Sequence, residues 1–112
     1  IIFRHLEKRL NIIQKEGLHM GFQESFKALS DPTRREILSL LRAGPLTVSE
    51  ILDHFQITGA SLSHHLSVLR QAGLIDDEKK GKYIFYTLNT TVLDDILKWM
   101  MSLKGVSDHE EP

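Results

Sequence analysis

Residues 47–88 constrain this chain more than any other stretch. They read as a helix, a tight turn, a second helix and a two-stranded hairpin. In the second helix Leu62, Leu66 and Leu69 fall within about 60° of arc at 3.6 residues per turn, so one stripe faces a core. Ala60, His64, Ser67 and Gln71 take the opposite face and are small or hydrogen-bonding. A helix with such residues outward near its N-terminus suits a DNA major groove. Ahead of it, Thr47-Val48-Ser49-Glu50 is a capping box that opens a short helix with Val48, Ile51, Leu52 and Phe55 inward. Gln56-Ile57-Thr58 makes the turn, Thr58 caps the second helix, and Gly73 ends it as a C′ residue. The spacing is that of a helix-turn-helix.

Leu74-Ile75-Asp76-Asp77-Glu78 and Tyr83-Ile84-Phe85-Tyr86-Thr87-Leu88 flank Lys79-Lys80-Gly81-Lys82. The second segment is aromatic and β-branched, as strands are, and Gly81 permits a tight bend. The hairpin therefore has a basic tip directly after a candidate recognition helix, where it can lie against the phosphate backbone.

On either side the chain is helical in pattern. Residues 1–15 place Phe3, Leu6, Leu10 and Ile13 on one apolar stripe, and Gly17 breaks it. Residues 22–29 form a helix expected to turn Phe22, Phe26 and Leu29 inward. Ser30-Asp31-Pro32 starts the next, with Ile37, Leu38, Leu40 and Leu41 in the core and Arg34 and Arg35 on the exposed side; Gly44-Pro45 ends it. Asn89-Thr90-Thr91 caps a last helix over residues 92–103. It carries two apolar stripes: Val92, Ile96, Trp99 and Leu103, and Leu93, Leu97, Met100 and Met101. A terminal helix apolar on two sides needs two partners, the parent domain and a second protomer.

A chain of 112 residues supports one domain with a modest core. With no cysteine there is no disulfide, thiolate metal site or thiol switch. No apolar run spans a bilayer and no signal peptide is visible, which points to the cytoplasm. The formal net charge of −1 does not advertise nucleic-acid binding. Its distribution matters more: the acids of residues 90–112 outnumber Lys98 and Lys104, and what remains is slightly basic.

The run Phe26-Lys27-Ala28-Leu29-Ser30-Asp31-Pro32-Thr33-Arg34-Arg35-Glu36-Ile37-Leu38 resembles the opening of an ArsR-type winged-helix repressor. So do Ser63-His64-His65-Leu66, Gly73-Leu74-Ile75, and Gly81 followed by residues 83–88. Within that family the chain is most similar to the SdpR-like autorepressors, which lack metal-site cysteines. The likeness covers about residues 22–103. It implies a mainly α (α+β) winged helix-turn-helix with a two-stranded β-hairpin wing and terminal dimerisation helices. It also implies a homodimer on double-stranded DNA, control of its own operon, and release through a membrane-protein partner. The expected organisation is an N-terminal helical extension (residues 1–19), the winged-helix domain with its C-terminal dimerisation helix (20–104) and an acidic flexible tail (105–112). Met20 stands just before the family-like region, so residues 1–19 are either a dimerisation helix or a non-native extension.

The expected DNA-binding residues are Thr58, Ala60, Ser61, Ser63, His64 and Ser67 on and before the recognition helix, with Lys79, Lys80 and Lys82 on the wing. The expected dimer interface is Phe3, Leu6, Leu10, Ile13, Val92, Ile96, Trp99, Met100 and Leu103. His65, at the flank of the core stripe, reads as a packed histidine. Thiolate-sensing relatives carry cysteines where Thr47 and Ser49 stand here, and the last helix has no histidine before His109. No regulatory metal, cofactor or catalytic constellation is expected. Two other readings stay open: a protein-interaction module that kept the fold and lost DNA binding, and a repressor sensing a small molecule between protomers beside Trp99, Met100 and Met101.

Overall fold

The computed structural model describes residues 22–105. Helix α1 covers residues 22–29. Helix α2 (Pro32–Leu41) begins where expected: Asp31 accepts the Arg34 N–H at 3.0 Å, and Pro32 opens the first turn. Then follow β1 (Leu46–Thr47), α3 (Val48–Leu52), α4 (Gly59–Gln71), β2 (Ile75–Lys80), β3 (Tyr83–Leu88) and α5 (Thr91–Leu103).

The two-stranded hairpin expected for the wing is present as β2 and β3, and a third strand, not expected from the sequence, joins it. Together they form a three-stranded antiparallel sheet in the order β1-β3-β2, with Leu46 opposite Tyr86 and Thr47 opposite Phe85. Two residues are too few to display an alternating pattern, and Thr47 is also the N-cap of α3, so the sequence signal there is helical. On the main hairpin Ile75 faces Leu88 and Lys80 faces Tyr83. Gly81, at φ +64°, takes the first central position of the two-residue loop, where a type II′ turn needs a positive angle.

One core lies where the helices meet the sheet. Ala28, Ile37, Leu38, Leu41, Ile51, Leu62, Leu66, Leu69, Leu74 and Ile75 are buried in it, so the predicted stripe of α4 is the one buried. Gly73 ends α4 with a Schellman pair: its N–H donates to Arg70 O, and that of Leu74 to Leu69 O, both at 3.0 Å. The turn drives Leu74 and Ile75 straight from α4 into the core.

The expected inward face of α1 holds for Leu29, which packs against the core, and is corrected for Phe26. Ser25 and Ala28 are fully buried, whereas Phe26 is 42% exposed. Small side chains let the helix sit close to the core. Phe22 and Phe26 instead join Trp99 of α5 in a three-ring cluster with centroids 5.9–6.0 Å apart. Arg34 and Arg35 are not simply solvated. Arg35 donates to Leu29 O at 2.7 Å and Arg34 to Ala28 O at 2.7 Å, so both cap the end of α1.

In α5, Ile96 is buried, and Val92 and Leu93 pack on the core. The helix begins at Thr91, one residue earlier than the pattern indicates. It is capped by Asn89, whose Oδ1 accepts the Thr91 N–H at 2.9 Å, while Thr90 makes no side-chain cap. Leu103 lies on the core-facing stripe by periodicity yet is 68% exposed. With Leu97, Met100 and Met101 it leaves an exposed apolar end on α5. Phe3, Leu6, Leu10 and Ile13, the rest of the extension and residues 106–112 lie outside the described residues.

Candidate nucleic-acid interface

The presentation of α4 starts with its caps. Thr47 Oγ1 accepts the Glu50 N–H at 3.2 Å, and Glu50 Oε1 accepts the Thr47 N–H at 2.8 Å, closing the box that starts α3. Thr58 Oγ1 then accepts the Ser61 N–H at 3.0 Å and starts α4. The Thr58 hydroxyl keeps its proton for an outside acceptor.

From that start the outward face of α4 follows helical geometry. Ala60, Ser63, His64, Ser67 and Gln71 are exposed, and Ser61 is half-buried at the flank. His65 is also half-buried, and its Nδ1 lies 3.2 Å from Arg34 Nη1. The two neighbouring histidines therefore point to different places, His64 to solvent and His65 to the protein.

Lys79, Lys80 and Lys82 are exposed at the wing tip. Of the acids beside them, which weigh against an anionic ligand, Asp76 and Asp77 have partners outside the lysine cluster. Arg70 at the end of α4 donates to Asp77 at 2.8 Å, and Asn89 donates to Asp76 at 3.0 Å. Lys80 stands 4.0 Å from Glu78, and Lys82 lies over the Tyr83 ring at 5.5 Å. Sequence reasoning misses Arg70 and Asn89 in this role. Their partners lie seven and thirteen residues away: Asp77 meets Arg70 because β2 packs beside α4, and Asp76 meets Asn89 across the paired ends of β2 and β3. Burial pushes the Tyr86 phenol above its usual range, with Asp77 adding to the shift.

Among the described residues no three His, Cys, Asp or Glu side chains gather as a metal site. The Glu50 carboxylate is committed to Thr47, and His54 Nδ1 faces the Glu50 carbonyl at 3.1 Å, so the pair does not converge on a common point. Around Trp99 and Met101 the surface of α5 holds only shallow troughs, one beside Phe22 and Asp95, the other beside Asp94 and Leu97. No described helix is long and apolar enough to cross a membrane.

A capped helix with a small, polar outer face, set beside a lysine-tipped hairpin, defines a winged helix-turn-helix DNA-binding regulator. The chain belongs to the ArsR family. Residues 31–77 match the model of the "Bacterial regulatory protein, arsR family". The chain is 51% identical to the transcriptional repressor SdpR of Bacillus subtilis over 85 residues, 76% of this chain and 94% of that protein. It is 43% identical to an arsenical resistance operon repressor of Staphylococcus aureus over 72 residues, 64% of this chain and 69% of the other. Among solved structures, an ArsR-like transcriptional regulator from Rhodococcus sp. RHA1 superposes with a TM-score of 0.73 at 26% identity, covering 80% of this chain and 84% of that one. These likenesses favour DNA binding over a protein-interaction module, and regulation over catalysis.

Proposed function

We propose that the chain is a homodimeric repressor that reads a near-palindromic operator with the exposed face of α4. The observation that carries this reading is the pairing of that face with a wing whose lysines stay exposed while the adjacent Asp76 and Asp77 are held by Asn89 and Arg70. Two copies of α4 enter successive major grooves about 34 Å apart. His64, Ser63 and Ala60 meet base edges, with Thr58, Ser61 and Ser67 beside them. Lys79, Lys80 and Lys82 lie against phosphate. The exposed apolar end of α5, with Trp99 and Met100, supplies the dimer contact. Bound dimer blocks polymerase. Resemblance to SdpR-like autorepressors extends the proposal to a cytoplasmic protein that controls its own operon and is released by a membrane partner. The chain has no cysteine with which to sense an arsenical through thiolates.

The test is selection from random DNA by the wild-type chain and by His64→Ala. The expected product is two inverted half-sites centred one helical turn apart, with preference relaxed in the variant at the bases opposite residue 64. A single unrepeated site contradicts the dimer, and an unaltered preference contradicts the reader role of His64.

A further inference from the structure

One guanidinium ties the reading helix to the far side of the domain. Arg34 Nε donates to Ala28 O at 2.7 Å and Nη2 to Lys27 O at 3.1 Å, both at the end of α1, while Nη1 meets His65 Nδ1 at 3.2 Å in the middle of α4. Asp31 holds the Arg34 amide at 3.0 Å and stands 3.9 Å from the same His65 nitrogen. The His65 side chain is only 14% exposed, yet its sequence neighbour is the outward His64. Arginine has donors and no acceptor, so the contact requires a lone pair on His65 Nδ1 and the ring proton on Nε2. A doubly protonated ring has no lone pair to offer. It would face Arg34 as a second cation and turn to Asp31. The charged or titratable groups facing His65 are Arg34 and Asp31 from the start of α2 and His64 on its own helix, at 6.0 Å between ring centroids. From α1 the junction receives the backbone carbonyls of Lys27 and Ala28.

We infer that Arg34 and His65 are positioning residues for DNA recognition: their contact sets the rotation and depth of α4 against α1 and so aims His64. This rests on α4 being the reading helix. A direct phosphate contact by Arg34 is the competing role. All three of its nitrogens are turned to acceptors within the protein, which favours positioning.

Affinity for a selected operator and for unrelated DNA is measured on the full chain with Arg34→Lys or His65→Asn, and thermal unfolding checks that each variant is folded. Lysine keeps the charge but cannot span three acceptors. The expected loss for Arg34→Lys is about tenfold on operator, with affinity for unrelated DNA and the salt slope unchanged. Asparagine offers an acceptor near the place of Nδ1, and leucine offers none. His65→Asn is expected to bind operator like wild type, and His65→Leu to lose as much as Arg34→Lys. Equal losses on operator and unrelated DNA, or equal operator affinity for His65→Asn and His65→Leu, overturn the inference. If the wild-type chain selects no operator, the reading of α4 falls with it; if it selects one that Arg34→Lys binds as tightly, only this inference falls.

Discussion

Asp31 illustrates how one side chain serves two levels of the molecule. It caps α2, and through the amide it holds it fixes the residue that reaches α1 and α4. The Arg34 N–H, donating to the carboxylate, holds the Asp31 carboxyl below the usual carboxylate range; burial opposes this, and the Arg34 charge adds to it. A carboxyl lowered in the folded state adds stability that is fully present above its unfolded value and is lost as pH falls through the folded one. Asp31→Ala should therefore cost about 1 kcal/mol near neutral pH, the usual worth of a cap, and the gap from wild type should close on acidification. Denaturant unfolding across pH measures this, and a gap independent of pH contradicts it. At this scale the sequence is readable where the partner is local. Thr47, Glu50, Thr58 and Asp31 all bond within three residues, and each fits a capping pattern. Arg34 and Arg70 escape because their partners depend on how elements pack: the His65 ring is 31 residues from Arg34.

At the scale of elements, the junction between α4 and β2 decides whether helix and wing form one surface. Gly73 sits at φ +77°, and a Cβ there would meet Val92 Cγ2 at 3.1 Å. Gly73→Ala thus combines a left-handed backbone with a tight contact against α5, and the conformational cost alone is about 1–2 kcal/mol. The expected outcome is a loss of at least that size in denaturant unfolding; a neutral or stabilising effect would mean that the turn relaxes to negative φ. Apolar spacing makes α2 and α4 visible because each has a periodic face, and the hairpin is visible from the aromatic and β-branched run of β3 and the turn at Gly81. Spacing misses β1, whose two residues carry no period, and counting hydrophobes places Phe26 inward. Burial of α1 follows the close approach of Ala28 and Ser25, with the rings displaced to its edge.

For the molecule as a whole, a net charge of −1 hides a wing tip on which Lys79, Lys80 and Lys82 are exposed, with Asp77 paired to Arg70 and Asp76 held by Asn89. A separate apolar surface lies on α5, where Leu97, Met100, Met101 and Leu103 are exposed on the helix that carries Trp99 of the three-ring cluster. The two stripes of α5 are legible in the sequence. That Leu103, on the same stripe as Ile96, stays exposed while Ile96 is buried is not, because periodicity says nothing about the extent of the surface beneath. The central claim is that α4 and the wing form one DNA-reading surface. Its most direct test is binding of the full chain to DNA from upstream of its own coding sequence, with salt varied and unrelated DNA as competitor, beside the Lys79/Lys80/Lys82 to Ala variant. The account predicts competitor-resistant binding that weakens steeply with salt. In the variant it predicts weaker binding to every sequence and a log–log salt slope shallower by up to about 0.9 for each phosphate that no lysine neutralises. Tight binding with the same slope in both proteins would take the wing out of the interface, and wild-type binding that unrelated DNA competes away equally well would contradict sequence reading by α4.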